Sequence, residues 1–241
     1  MATEARTDLA LLRLMQLVSP ALPVGAYAYS QGLEQAVQLE WITNEAQAAE
    51  WITGVLENGL ARVDAPVLVR LQAAWSAQDL QQVAYWNQFL YACRESAELQ
   101  AEDRTLARAL TRLLVDLGVT EAKPFATQER STFATLFALA AVHWQIPVVH
   151  CVQGYLWSWA ENQVAAAIKL VPLGQTAGQR ISLHLGDYIP PLAQQALVIE
   201  DDDIGQVMQG QALASAWHES QYSRLFRSCW LGLLCHQDIK N

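Results

Sequence analysis

The fold can be worked out from one stretch of the chain, Ser19-Pro-Ala-Leu-Pro-Val-Gly-Ala-Tyr-Ala-Tyr-Ser-Gln-Gly-Leu-Glu34. Its prolines, Pro20 and Pro23, fix the backbone φ angle and push the residues before them towards extended conformations. The two glycines allow turns or close backbone approach, while leucine, valine and tyrosine supply apolar bulk that a solvated linker would not carry. The stretch therefore predicts a rigid, partly buried loop that leads into a helix, with Ser30 as its candidate N-cap. An ordinary connection between two helices is the alternative that the stretch alone leaves open.

The composition is that of a folded, acidic protein. Hydrophobic residues make up 52% of the 241, the net charge is −9, and lysine and arginine together number 15. This hydrophobic fraction excludes disorder, and the absence of a basic run argues against nucleic acid and anionic membrane surfaces as partners. The four cysteines lack close-paired spacing and the N-terminus lacks a signal-peptide layout, so we predict reduced thiols and a cytoplasmic location.

Apolar residues recur at helical spacing along almost the whole chain, without strand alternation or internal repeats. The sequence predicts one all-α domain over residues 1–241, a bundle of about ten helices with a long buried central helix. Residues 223–241 are predicted to form a C-terminal tail used in partner docking. The predicted helices cover about 9–19, 30–39, 44–63, 64–75, 80–84, 94–117, two helices within 131–170, a helix that starts near 176, and 211–222.

Helix ends and loops carry more specific signals. Thr43 is a plausible N-cap, Gly118 is placed to close the long helix in the left-handed conformation, and Thr120–Pro124 is predicted to be the most mobile loop. Thr176 and Gln179 have the spacing of a capping box, which predicts a helix start. The proline pair at 190–191 should then bend or break that helix.

The segment from Ser131 to Ala160 contains no charged residue and is long enough to span a bilayer. However, it carries several polar side chains, and Pro147 sits where a helix should begin. We therefore predict two helices of a buried hairpin, with a membrane span as the alternative.

Motifs for catalysis are missing from the sequence. There is no P-loop, dinucleotide fingerprint, zincin motif or Cys-x-x-Cys pair, and no catalytic, cofactor-binding or metal-binding residue is predicted. A small helical hydrolase or metal-binding enzyme remains the alternative. For each residue that such an enzyme would use, burial in the core or a plain surface position is the simpler explanation. Its candidate groups are His143 with His150, the adjacent pair His150-Cys151, Cys229 with Cys235 and His236, and His184 with Asp187 and Tyr188.

Two features favour recognition by a partner. Lys169 ends a long apolar helix, where its cation either complements the helix dipole or is presented to another protein. In Tyr222–Ser228, Arg224 and Arg227 flank a Leu-Phe pair, and arginine and aromatic residues are enriched among interface hot spots. An ordinary tail packed on its own domain is the alternative. The apolar stretch 229–235 that follows requires cover, from its own fold or from another subunit.

Three stretches of the chain, in order, resemble signatures of the urease accessory protein F family (UreF). They are Ser19–Glu34, Ile168-Lys-Leu-Val-Pro-Leu-Gly-Gln-Thr-Ala-Gly-Gln-Arg180 and His218-Glu-Ser-Gln-Tyr-Ser-Arg-Leu-Phe-Arg-Ser228. The resemblance implies an all-α, non-catalytic homodimer without a cofactor that serves in assembly of the nickel site of urease. It also implies three partners: the accessory protein D (called H in some organisms), the accessory GTPase G, and apo-urease.

The same resemblance implies which residues bind partners. Lys169 matches a family lysine implicated in regulating activation, and Arg224 and Arg227 match charged anchors of the segment that docks on the D/H protein. The full set of implied partner-binding residues is Ser19, Pro20, Pro23, Gly25, Tyr29, Glu34, Lys169, Gln175, Gln179, Arg180, His218, Tyr222, Arg224, Phe226, Arg227 and Ser228.

Overall fold

The structure is a computed structural model, and it describes residues 2–227, with side chains from residue 8 onwards. Within that range the chain forms ten α-helices and no β-strand, so the predicted all-α bundle is confirmed. The helices are α1 (Ala2–Leu17), α2 (Leu33–Gln38), α3 (Glu45–Val55), α4 (Asp64–Ser76), α5 (Leu80–Ala92), α6 (Ala97–Asp116), α7 (Phe133–His143), α8 (Val148–Leu170), α9 (Gln175–Ala196) and α10 (Gln209–His218).

The predicted long central helix is α8, which has 23 residues. It packs against α1, α2, α3, α4, α7 and α9. Buried apolar residues recur along it every three or four positions, which places them on the faces that meet these neighbours. They include Val152, Leu156, Ala160, Val164 and Ala167. The other helices are arranged around this core.

The charge-free segment 131–160 divides into two helices, as predicted. α7 ends at His143, and α8 begins directly after Pro147, whose φ of −57° suits a helix start. Nearly all of α7 is buried in the protein core. Of the helices in residues 2–227, none has the combination of length and apolar character that a bilayer crossing requires.

Several predicted helix ends are wrong, because side chains cap at neighbouring positions or because burial extends the helix. The N-cap of α3 is Asn44, whose side chain accepts a hydrogen bond from Gln47 N–H, and not Thr43. α5 was predicted to stop near residue 84, but it continues to Ala92, because Val83, Trp86 and Leu90 bury a continuous face. The predicted long helix starts at Ala97, after the cap Ser96, and Gly118 follows its end with φ +87°, which confirms the left-handed prediction.

Other corrections concern α2 and α9. α2 begins at Leu33, after Gly32, and the Ser30 hydroxyl is buried without a hydrogen-bond partner among the described residues, so Ser30 is not the cap. α9 begins at Gln175, and within the described chain no side chain caps it, so the capping box at Thr176 is wrong. The exposed prolines 190 and 191 do not end this helix, because the residues around them on its inner face are buried in the core.

Two further segments differ from expectation. Thr120–Ala126 forms a 3-10 helix packed on α6, with Phe125 buried and its ring centroid 5.7 Å from that of Trp75, so it is not a mobile loop. The last helix ends at His218 instead of residue 222, because the residues that follow turn back towards α2. The acidic run that precedes it, 200–203, is exposed as predicted.

A buried ionic network joins α4 to the start of α6. The guanidinium of Arg94 binds both oxygens of Asp64 (2.7 and 3.0 Å) and one oxygen of Asp103 (2.8 Å). The hydroxyl of Tyr155 donates to Asp64 at 2.9 Å, and the Phe133 N–H donates to Asp103 at 2.5 Å. Burial opposes the charge on Arg94, but the two carboxylates outweigh it and raise the pKa of Arg94 well above its ordinary value. The network therefore depends on its cation.

We predict that Arg94→Met destabilises the protein by about 3–5 kcal/mol, because two buried carboxylates then lose the cation that pairs with both of them. The free energy of unfolding is measured by urea titration. Arg180→Met is the matched control, since Arg180 forms an exposed ion pair with Glu45 that water screens, and it should leave the midpoint almost unchanged. Equal effects of the two substitutions would show that the buried network does not stabilise the fold.

Candidate partner-docking surface

Parts of the three signature stretches, around Ala28 and Glu34, at Lys169 and over 219–227, meet at one place on the molecule. We call residues 219–227, which follow α10, the C-terminal segment. The segment lies beside the loop before α2, where Arg227 N–H donates to the carbonyl of Ala28 at 2.8 Å. It also lies beside the end of α8, where the Lys169 ammonium is 5.6 Å from the centroid of the Phe226 ring. Residues far apart in sequence therefore form one continuous surface.

A glycine allows α10 to reach this position. Gly32 has φ +87°, and a Cβ atom built on it would lie 2.9 Å from the backbone nitrogen of Ser215 and 3.2 Å from the carbonyl oxygen of Gln211. Only glycine tolerates both the left-handed conformation and this close approach. The contact brings the end of α10 against α2 and the start of α6, where the hydroxyls of Ser96 and Ser215 are 2.7 Å apart.

His218 lies at the centre of this junction, with a fully buried side chain. Its Nδ1 is 2.7 Å from a carboxylate oxygen of Glu98 on α6, and its Nε2 is 3.0 Å from a carboxylate oxygen of Glu34 on α2. Burial opposes the charged imidazole, but the hydrogen bonds and charges of Glu98 and Glu34 outweigh it and raise the pKa of His218 above its ordinary value. The imidazole thus cross-links α2, α6 and α10.

The carboxylate of Glu34 also holds the C-terminal segment. It accepts the N–H of Leu225 at 2.6 Å and the N–H of Phe226 at 2.9 Å, in addition to its contact with His218. Glu34 is itself buried. A buried carboxylate that accepts several donors forms strong, charge-assisted hydrogen bonds. The path of the segment is therefore fixed through the backbone of Leu225 and Phe226, between the exposed side chains of Tyr222 and Arg227.

Phe226 is the hydrophobic contact of the segment. Its side chain is 7% exposed and joins the main core, and the Lys169 ammonium faces its ring. Lys169 itself lies in the last turn of α8 and is exposed. The residue therefore lies at the C-terminal end of α8 and its side chain is available at the surface, so both interpretations of this lysine fit its position.

The implied partner-binding residues divide by exposure. Buried members hold the surface in place, and they are Tyr29, Glu34, His218 and Phe226. Exposed members are Pro20, Pro23, Lys169, Gln175, Gln179, Arg180, Tyr222 and Arg227. Ser19, Gly25 and Arg224 are half-buried, and Ser228 lies outside the described residues.

Two of the implied partner-binding arginines contact their own chain. Arg224 points back to its own chain, where it donates to the carbonyls of His218 and Glu219 at the end of α10 (3.4 and 3.3 Å). Arg180 pairs with Glu45 on α3, at 2.6 Å, and not with the C-terminal segment. Arg227 is thus the arginine of the segment that projects outwards.

Sequence reasoning missed Glu98 and Glu219. Glu98 sits in the first turn of α6, where an acidic residue normally only complements the helix dipole, and nothing in the sequence indicates its contact with His218. Glu219 accepts the backbone N–H of Glu98 at 3.0 Å and so ties the end of α10 to the start of α6. Both contacts link residues about 120 positions apart, which a local pattern cannot report.

A cavity of about 130 Å³, lined by both polar and apolar residues, lies beneath the first signature stretch. On its wall, Gln31 donates to a carboxyl oxygen of Glu102 at 2.8 Å and accepts the indole N–H of Trp159 at 2.6 Å. Burial raises the pKa of Glu102 to about 8, although the Gln31 bond opposes the shift. At neutral pH this carboxyl is therefore largely protonated.

Among the described residues, those proposed for metal chemistry are not brought together. His143 and His150 are exposed, whereas Cys151 is buried, and burial raises the pKa of its thiol. No three histidine, cysteine, aspartate or glutamate side chains of the described chain converge as metal ligands. The ring centroid of exposed His184 lies 4.7 Å from that of Tyr188, and the two planes are tilted by 55°. Cys229, Cys235 and His236 lie outside the described residues.

We predict that Glu34→Gln loosens the C-terminal segment without unfolding the helices. An amide of the same size replaces the charged acceptor, so the loss of charge-assisted bonds should cost about 2 kcal/mol locally. Hydrogen exchange at the amides of Leu225 and Phe226 should then be about thirty times faster. The control is Glu50→Gln, an exposed glutamate on α3. Unchanged exchange in Glu34→Gln would contradict this role.

Comparison with known proteins agrees with the three signatures. The sequence model of the UreF family matches residues 42–186. A protein from Alkalilimnicola ehrlichii named urease accessory protein UreF is 52% identical over 228 residues, which are 95% of this chain and 100% of the relative. A protein of the same name from Marinobacter nauticus is 51% identical over 226 residues, 94% of this chain and 97% of the relative. The chain, with its all-α fold and its three converging signatures, belongs to the UreF family of urease accessory proteins.

Proposed function

We propose that this chain is a non-catalytic maturation factor for urease. In this proposal it acts in the cytoplasm as a homodimeric scaffold that binds the accessory D/H protein, recruits and regulates the accessory GTPase G, and so directs nickel to apo-urease. The observation that carries the proposal is the convergence of the three family signatures on one surface, around Glu34 and the C-terminal segment.

The shape of the C-terminal segment supports docking on a partner. Its backbone is fixed by Glu34 and its Phe226 is buried, so the segment is ordered before a partner arrives. Tyr222 is fully exposed, Leu225 is 66% exposed, and Arg227 is exposed. Aromatic, apolar and arginine side chains held on a fixed backbone can bind with little loss of conformational entropy.

Lys169 supports the regulatory part of the proposal. Its cation lies against Phe226, at the edge of the same surface, so a partner that contacts the segment would also meet this charge. The chain as a whole is acidic, and an exposed cation beside an aromatic ring is a specific recognition feature. The nucleotide in this scheme belongs to the partner GTPase, in keeping with a sequence that contains no P-loop.

We predict that Tyr222→Ala/Arg227→Ala weakens the complex with the cognate D/H protein at least about tenfold, because both side chains project from the segment without contributing to its fold. Binding is measured by size-exclusion chromatography with light scattering and by titration calorimetry. Tyr85→Ala/Arg112→Ala is the matched control, since it removes an exposed tyrosine and an exposed arginine elsewhere.

The control should bind as the parent chain does, and both double variants should keep the parent unfolding midpoint. If Tyr222→Ala/Arg227→Ala binds with the parent affinity, the C-terminal segment is not the docking element. If the parent chain itself forms no complex, the scaffold proposal fails as a whole.

A further inference from the structure

We infer that His218 is a proton-operated latch, which holds the C-terminal segment closed while its imidazole is doubly protonated and releases the segment when one proton leaves. The inference concerns the chain by itself and goes beyond the proposed role in urease maturation. It rests on the geometry of three side chains, His218, Glu34 and Glu98.

The two contacts of the His218 imidazole require two N–H protons. Both imidazole nitrogens lie within hydrogen-bond distance of a carboxylate oxygen, 2.7 Å for Glu98 and 3.0 Å for Glu34. A neutral imidazole has only one N–H, and a carboxylate only accepts. The observed arrangement therefore needs one proton more than a neutral histidine with two carboxylates provides. Because His218 is fully buried, solvent does not reach it to supply a hydrogen-bond donor when a proton is missing.

Several charged groups lie around His218. Glu34 approaches from α2 and Glu98 from α6, and both favour the cationic imidazole. Glu219 binds the backbone of Glu98, and Arg224 binds the carbonyl of His218, so each acts on the main chain. Lys169 on α8 faces Phe226, on the other side of the segment. The titratable side chains in direct contact with the imidazole are thus both carboxyl groups.

The carboxylate of Glu34 couples the proton on the imidazole to the position of the segment. One oxygen of Glu34, Oε2, faces both the imidazole Nε2 and the N–H of Phe226, while Oε1 accepts the N–H of Leu225. If the remaining proton stays on Nδ1, beside Glu98, the lone pair of Nε2 faces an anionic oxygen of Glu34. Repulsion then displaces the carboxylate that holds the segment. Loss of one proton thereby breaks the contacts of Glu34 with His218, Leu225 and Phe226.

The direction of the pH dependence follows from the raised pKa of His218 in the folded chain. The stabilisation is fully present below the ordinary pKa of an unfolded histidine, about 6.5. It is lost as the pH rises through the higher value of the folded state. Acidic to neutral solution therefore closes the segment, and alkaline solution opens it.

The test is hydrogen exchange of the isolated full-length chain, corrected for the intrinsic pH dependence of exchange. From about pH 6 to about pH 9, protection at the amides of Leu225 and Phe226 should fall at least about tenfold, while amides of α8 keep theirs. His218→Gln should show low protection in the segment at every pH. Glu98→Gln, which keeps the histidine but removes one anion, should shift the transition to lower pH.

Protection that does not change with pH in the parent chain overturns the latch, as does the same pH dependence in His218→Gln. If His218→Gln fails to fold, the shift in Glu98→Gln decides the matter, and an unshifted transition also overturns the inference. Since no partner is present, failure here leaves the docking proposal intact, and failure of docking leaves the latch intact.

Discussion

The buried carboxylate of Glu34 is the constraint on which the surface depends. It accepts two backbone N–H groups of the C-terminal segment and contacts the imidazole of His218. A buried carboxylate is stable only when such donors surround it, so the ordered segment and this side chain require each other. Gly32, two residues earlier, lets α10 come close enough for this arrangement. The short stretch from Gly32 to Glu34 thus positions both α10 and the C-terminal segment.

This constraint separates two kinds of residue within the family signatures. Glu34, His218 and Phe226 are buried and act by holding the backbone, whereas Tyr222 and Arg227 project from it. In the proposed docking role, the exposed residues would contact the partner and the buried ones would determine where that contact occurs. The proposal expects substitution of either kind to weaken docking, but only the buried kind to change the order of the free segment as well.

The sequence predicted the helical class and the hairpin of α7 and α8, because these depend on local periodicity and on Pro147. It failed where competing local signals had to be ranked. Asn44 caps α3 in place of its neighbour Thr43, and α9 runs through two prolines because its inner face is buried. Burial energy is a property of the assembled fold, which a window of sequence does not contain.

The site was predictable only in part, for a similar reason. The signatures indicated Glu34, Lys169 and His218 separately, but not that they meet. Glu98 carried no signal, because a glutamate in the first turn of a helix is ordinary. Its role arises from a contact across 120 positions of sequence. Long-range pairing of this kind is decided by packing and becomes visible only in the folded chain.

The central claim is that the three signature stretches form a single docking surface. It is tested most directly by the hydrogen-exchange footprint of the full-length chain, with and without the cognate D/H protein at saturating concentration. The account predicts new protection at the C-terminal segment, at the loop around Ala28 and at the end of α8 near Lys169, all in the same complex. Protection confined to other helices, with these three regions unchanged, would contradict it.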